Sequence, residues 1–204
     1  NQKTINMLTS KECPKCGALL NTKSNICEYC KARVFISSVS YLSNYDNSQI
    51  QKYIKYYKAL IKVAPDDDKG YLGLGICYLQ LSMFPFAKKN LETAIDIAPD
   101  NASAYYYYCL ATIAGERIRF MSLDTIEEML MYLNTAIGME PSNQLYLLLM
   151  SMIKHDFYVL NSLSEKKPTY EELFAQLDVS QIEYEEIQRL KTCVKVSSFD
   201  KFGI

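Results

Sequence analysis

Four of the seven cysteines in this 204-residue chain fall in one short stretch, CPKCGALLNTKSNICEYC, from Cys13 to Cys30, and they constrain the fold more than any other feature. They form two CxxC pairs with ten residues between Cys16 and Cys27. A CxxC pair lets a tight turn bring two thiolates to one tetrahedral ion, with metal–sulfur distances of about 2.3 Å. Gly17 follows the first pair, where a backbone rounding a metal often needs positive φ. Disulfides suit the composition less well. Cys77, Cys109 and Cys193 lie in apolar, helix-like surroundings, and an oxidising compartment would leave an odd thiol among the seven. A thioredoxin-like centre would need a βαβ context and a single CxxC. The spacing therefore predicts one zinc ion held by Cys13, Cys16, Cys27 and Cys30. Four thiolates complete its shell and leave no position for water or substrate, so a structural rather than a catalytic ion is expected.

The same string resembles the short zinc-ribbon family, whose members read CPxCG, a spacer and CxxC, with Ile26 at the usual apolar place before the third ligand. The resemblance covers about the first 35 residues and implies a small β-knuckle module at 1–35. It departs from the family at Lys31, where a glycine normally follows the fourth cysteine. The second knuckle is expected to turn differently or loosely.

Beyond the cysteines the chain repeats itself. Pro65 and Pro99 are 34 residues apart, each closing an apolar-periodic run, KALIKVAPDD and ETAIDIAPDN. Between them stand Tyr71-x2-Leu74-Gly75-x2-Tyr78, then Ala87-x3-Leu91 and Ala94. This pattern resembles the tetratricopeptide repeat (TPR). Small Gly75 and Ala87 would let two helices approach, large Tyr71, Leu74, Tyr78 and Leu91 would fill the space between them, and proline would stop the second helix. A second copy starts at Ala102, with Tyr105, Tyr108 and Cys109 in place, and ends at Pro141, 42 residues after Pro99. The eight-residue surplus is assigned to the region of GERIRFMS, as a longer loop or longer helices. A third start follows at Leu145. The expected architecture is mostly α: a TPR-like helical-hairpin solenoid over 36–167, preceded by the zinc ribbon and closed by capping helices and tail over 168–204. Thr169-x-x-Glu172 reads as a capping box opening that last segment.

In the TPR family the groove is lined mainly by first helices. The resemblance thus assigns a partner-binding strip to Leu72, Ile76, Tyr106, Leu110, Tyr146 and Met150, covered either by a protein or peptide partner or by the segment after Thr169. Tyr105 to Tyr108 cannot share one face, because helical residues step by about 100°. Tyr105 and Tyr108 match core positions, and Tyr106 and Tyr107 then point to the groove. With the repeats holding a core of their own, chelation is expected to loosen residues 1–33 while leaving most of the helicity.

The chemistry-bearing residues are sparse. His155 is the chain's only histidine, in MIKHDFY, with no ligand or nucleophile spacing to another candidate. It is expected to be structural or exposed. Gly70, Gly73 and Gly75 lack the preceding strand and following Gly-Lys-Ser/Thr of a phosphate loop. No catalytic constellation emerges, and the expectation is a non-catalytic protein–protein adaptor. The formal net charge of −1 disfavours a general nucleic-acid role, although residues 1–33 carry six basic and two acidic side chains, net +4. A factor whose basic ribbon touches nucleic acid is the alternative. The most apolar run, Leu145–Ile153, is far short of the roughly 20 residues of a membrane span. Nothing reads as a signal peptide, and reduced cysteines point to the cytoplasm.

Overall fold

The computed structural model describes residues 12–20 and 25–204; the parts of the expected ribbon at 1–11 and 21–24 lie outside the described residues. Among the described residues the regular structure is helical, with eight α-helices. The chain gathers into two compact units, dividing between Ala98 and Pro99.

The first unit holds the cysteine segment, a 3-10 turn at Val39–Leu42, and helices α1 (Asn47–Val63), α2 (Asp68–Gln80) and α3 (Phe84–Ile97). Asp46 starts α1 through a reciprocal capping box. The Gln49 N–H donates to the Asp46 carboxylate at 2.8 Å, and the Asp46 N–H donates to the Gln49 side chain at 3.0 Å. Helix α2 packs on both α1 and α3 and is buried on nearly every side. That sandwich requires glycine where neighbours come closest. A Cβ at Gly73 would run into the Tyr57 ring, and one at Gly75 would lie 2.5 Å from Leu91 Cγ. Ala87, Leu91 and Ala94 of α3 complete the same contact, all buried.

The second unit holds α4 (Ala102–Ile113), α5 (Leu123–Met139), α6 (Gln144–Ile153), α7 (Tyr170–Phe174) and α8 (Tyr184–Cys193). Helix α6 runs on into a wide π-helical turn, Lys154–Val159, whose Lys154, His155 and Asp156 all point inward and are buried. The expected capping box at Thr169 is present, with its hydroxyl accepting from Glu172 N–H and the Glu172 carboxylate accepting from Thr169 N–H.

Proline punctuates both units in the same way. Helices α1, α3 and α5 stop two residues before Pro65, Pro99 and Pro141, and the residues between, Ala64, Ala98 and Glu140, share nearly one backbone conformation at φ −138, −131 and −130°. A residue preceding proline is pushed out of the helical region, so the stop is steric and local. The 42-residue spacing is also accounted for. The connection from α4 to α5, 114–122, replaces the short 81–83 turn of the first unit, α5 has 17 residues where α3 has 14, and α4 has 12 where α2 has 13. This longer loop includes a 3-10 turn at Ile118–Phe120 and is fastened to the π-turn region. Arg119 Nε donates to Asn161 Oδ1 at 3.0 Å, and Asn161 Nδ2 returns a bond to the Arg119 carbonyl at 3.1 Å.

The four consecutive tyrosines divide as helical stepping requires. Tyr105 and Tyr108 meet Tyr132 of α5 edge-on at 5.3 and 5.0 Å between ring centroids. Tyr106 instead stacks on Tyr146 of α6 at 5.4 Å, and Tyr107 donates its hydroxyl to Glu186 Oε1 of α8 at 2.7 Å. Helix α8 thus lies along α4, and the chain beyond it continues the cover. Gly115 N–H donates to the Cys193 carbonyl at 2.7 Å, Arg117 pairs with Lys195 in a parallel bridge, and Phe202 is buried.

Candidate metal centre

The cysteine segment folds as two turns of the same construction. In the first, Gly17 N–H donates to the Cys13 carbonyl at 2.8 Å and Cys13 N–H to the Ala18 carbonyl at 2.7 Å. In the second, Lys31 N–H donates to the Cys27 carbonyl and Cys27 N–H to the Ala32 carbonyl, both at 2.9 Å. An isolated antiparallel bridge flanks each turn, Glu12 with Leu19 and Ile26 with Arg33. The expectation that Lys31 would make the second turn different is corrected: Lys31 adopts φ 59°, close to the 76° of Gly17. Its ammonium donates to the Glu28 carbonyl at 2.8 Å, a bond that glycine could not make and that offsets part of the left-handed strain.

The two turns bring all four Sγ atoms within 4.8 Å of one another. Cys13 and Cys30 are 3.7 Å apart at sulfur, as are Cys16 and Cys27, and all four are free thiols. A regular tetrahedron with metal–sulfur bonds of about 2.3 Å has sulfur–sulfur edges of about 3.8 Å. Both 3.7 Å separations match that edge, and the four thiols form a cluster that could hold a metal ion. Their protonation is uneven. Backbone N–H donation, chiefly from Cys30, lowers Cys27 to about 7, whereas burial pushes Cys13 up to about 12 and raises Cys30. A dication supplies the charge that lets all four ionise together, at the expense of released protons.

Helix α1 underpins this centre, a role the sequence reading left out. Tyr53 donates its hydroxyl to the Arg33 carbonyl at 2.7 Å, and Tyr57 donates to the Val34 carbonyl at 2.8 Å while accepting from Ile36 N–H at 2.7 Å. Tyr56 packs against the small core formed by Cys13, Cys27 and Val34. Lys15 lies over the Tyr45 ring at 5.2 Å and Arg33 over Tyr41 at 4.2 Å. Tyrosines at 53, 56 and 57, spaced to share one helical face, were the available signal.

The six positions assigned to a partner strip are all buried. Leu72 and Ile76 lie in α2 of the first unit; Tyr106, Leu110, Tyr146 and Met150 lie in α4 and α6 of the second. In the second unit the chain's own segment after Thr169 packs on those two helices.

His155 is buried rather than exposed. Its Nδ1 is 2.9 Å from Asp156 Oδ1, and its ring faces Tyr170 and Phe202 at 5.0 and 5.7 Å. Ser197 binds the same carboxylate through N–H and hydroxyl, at 2.8 and 3.1 Å. The carboxylate stands between serine and imidazole, and His155 Nε2 has no hydrogen-bond partner. The arrangement ties the tail to the π-turn and does not place a hydroxyl on the imidazole. Among the described residues no helix is long and apolar enough to cross a membrane. No protein-family model matches this chain, and no match is found among curated proteins.

Proposed function

We propose that the protein is a non-catalytic adaptor in which one structural zinc ion, on Cys13, Cys16, Cys27 and Cys30, stiffens the start of a TPR-like helical array. The observation that carries the zinc assignment is the pair of 3.7 Å sulfur–sulfur separations within a closed four-thiol cluster. All-sulfur tetrahedral sites favour zinc among common cellular divalent ions, and a full shell gives it a structural task. The repeat reading is supported by the three proline-terminated helices and by the 34-residue step from the start of α2 to the start of α4.

Metal analysis by mass spectrometry of protein purified without added metal tests the first half. One zinc per chain is expected, lost in a Cys16→Ser, Cys30→Ser double variant. Iron in place of zinc, or a metal-free protein with native thermal stability, would overturn it. The second half is tested by affinity capture from the native host, comparing the intact chain with one ending at Lys167, which lacks the cover over α4. Retention of a defined protein partner supports the adaptor. Retention of nucleic acid alone, with affinity falling steeply as salt rises, would replace it with the nucleic-acid reading.

A further inference from the structure

The seven cysteines differ in access to solvent. Cys77, Cys109 and Cys193 are buried in the helical parts of the chain, and within the cluster Cys13 and Cys27 are closed off at 2% and 0% exposure. Cys30 is half-buried, and Cys16 alone is exposed. A dissolved reagent that reacts with sulfur therefore meets Cys16 before any other.

The exposure follows from how the two turns are seated. Cys13 and Cys27 form a small core with Val34, against which Ala18, Leu20, Cys30 and Tyr56 pack, and Cys16 stands outside that group. Gly17, next to it, has open space on the side where a side chain would project, since a Cβ there would meet nothing within 4 Å. The first turn is thus approachable and has room to shift.

Access is joined to reactivity by two further features. A thiol coordinated to a dication is held as thiolate, the nucleophilic form. A second sulfur is also within reach, because Cys27 Sγ lies 3.7 Å from Cys16 Sγ. A disulfide bond is about 2.05 Å long, so the pair closes by an approach of roughly 1.7 Å. Cys27 is fixed in the core, and the movement falls to the exposed turn that carries Cys16. An accessible thiolate beside a resolving thiol is the arrangement of oxidant-sensitive cysteines.

We infer that Cys16 is an oxidation site through which hydroperoxides empty the metal centre, with Cys27 as the resolving thiol. The inference rests on the zinc reading given above. The Cys16 thiolate attacks the peroxide O–O bond, keeps one oxygen as sulfenic acid and releases the other as hydroxide. The Cys27 thiolate then attacks the Cys16 sulfur, forming the disulfide and expelling that oxygen as a second hydroxide. Two protons from solvent turn both hydroxides into water. The two thiolates have lost two electrons, and the peroxide has gained them. Cys13 and Cys30 are then the only thiolates left, half of a tetrahedral shell, and they cannot retain the ion. The loss passes to α1 through the bonds that link Tyr53 and Tyr57 with Arg33, Val34 and Ile36. The three buried cysteines outside the cluster stay reduced.

The test uses the full chain, with its zinc content measured first, treated with hydrogen peroxide in the presence of a colorimetric chelating dye. One zinc should be released for each peroxide consumed, with loss of two thiols. Peptide mapping after alkylation should find Cys16–Cys27 as the first disulfide, and dithiothreitol with added zinc should restore the starting state. Dimedone present during the reaction should label Cys16 ahead of every other cysteine. Cys16→His removes the attacked sulfur but keeps four ligands, because imidazole also binds zinc. That variant should hold its zinc and lose the release by peroxide; the dimedone order in the unaltered chain decides the matter if it fails to fold. A chain without zinc overturns the reading of the centre and this inference with it. Zinc that stays bound in excess peroxide overturns the inference alone. So does a first disulfide or first dimedone adduct that omits Cys16, or release from zinc-loaded Cys16→His as fast as from the unaltered chain.

Discussion

Lys31 and Gly17 show how one backbone requirement can be met by two different residues. Both close a cysteine turn with positive φ, and only glycine does so without strain. Lys31→Gly should stabilise the folded, metal-loaded first unit by about 1 kcal/mol, after the Lys31–Glu28 bond is lost, and thermal unfolding of the zinc form measures it. A raised midpoint is the expected outcome; a lowered one would show that the ammonium contact outweighs the strain. Tyr57 is more exacting. Its hydroxyl both donates to Val34 and accepts from Ile36, so Tyr57→Phe leaves a buried N–H and a buried carbonyl unsatisfied. A loss of about 1–3 kcal/mol is expected, together with faster zinc release to a chelator, measured by competition with a colorimetric dye.

At the scale of helices, the contact between α2 and α3 depends on small residues. Ala87 is fully buried against α2, and Gly75 leaves room for Leu91. Ala87→Leu should overpack the pair and cost about 1–3 kcal/mol, visible as a lower unfolding midpoint in urea. The start of α7 carries a pH dependence. The Thr169 N–H, and then Lys167, hold Glu172 below the usual carboxylate range. A depressed folded value means that the stabilisation is present above the unfolded pKa and is lost as pH falls through the folded one. Acidification through that range should therefore loosen α7, read as faster amide exchange at 170–174 after correction for the intrinsic rate. Glu172→Gln should remove the pH dependence.

For the whole molecule, the cysteine cluster and helix packing are joined within the first unit. Sequence reasoning expected chelation to loosen residues 1–33 and to leave most of the helicity. The hydrogen bonds that link Tyr53 and Tyr57 with Arg33, Val34 and Ile36 carry that effect into α1. Chelation should raise amide exchange in Asn47–Val63 as well as around the cysteines, and an α1 that keeps full protection would show that the helix hairpin stands without the centre. In the second unit, truncation after Lys167 removes Leu190, Val194 and Phe202 from the core and uncovers the tyrosines of α4. Self-association of the shortened chain, measured by sedimentation, is the expected result.

What could be read from the sequence was local. Cysteine spacing placed four thiolates around one point, prolines ended three helices, and Thr169 with Glu172 opened α7. In each case the determining groups lie within a few residues or in one short motif, where covalent geometry leaves little choice. The eight-residue surplus before Pro141 was legible as a length, but its division between loop and helix depended on packing. Beyond that reach the sequence was silent or ambiguous. That the tail lies against α4, beside the strip holding Tyr106 and Tyr146, follows from the bond between Tyr107 and Glu186, 79 residues away, which no local pattern foretold. Nothing in the sequence marks Lys154, which the π-turn and the returning segment at Glu165 and Lys166 bury. Desolvation and long-range hydrogen bonding depend on which distant segments meet, and that is a property of the folded molecule rather than of any stretch of its sequence.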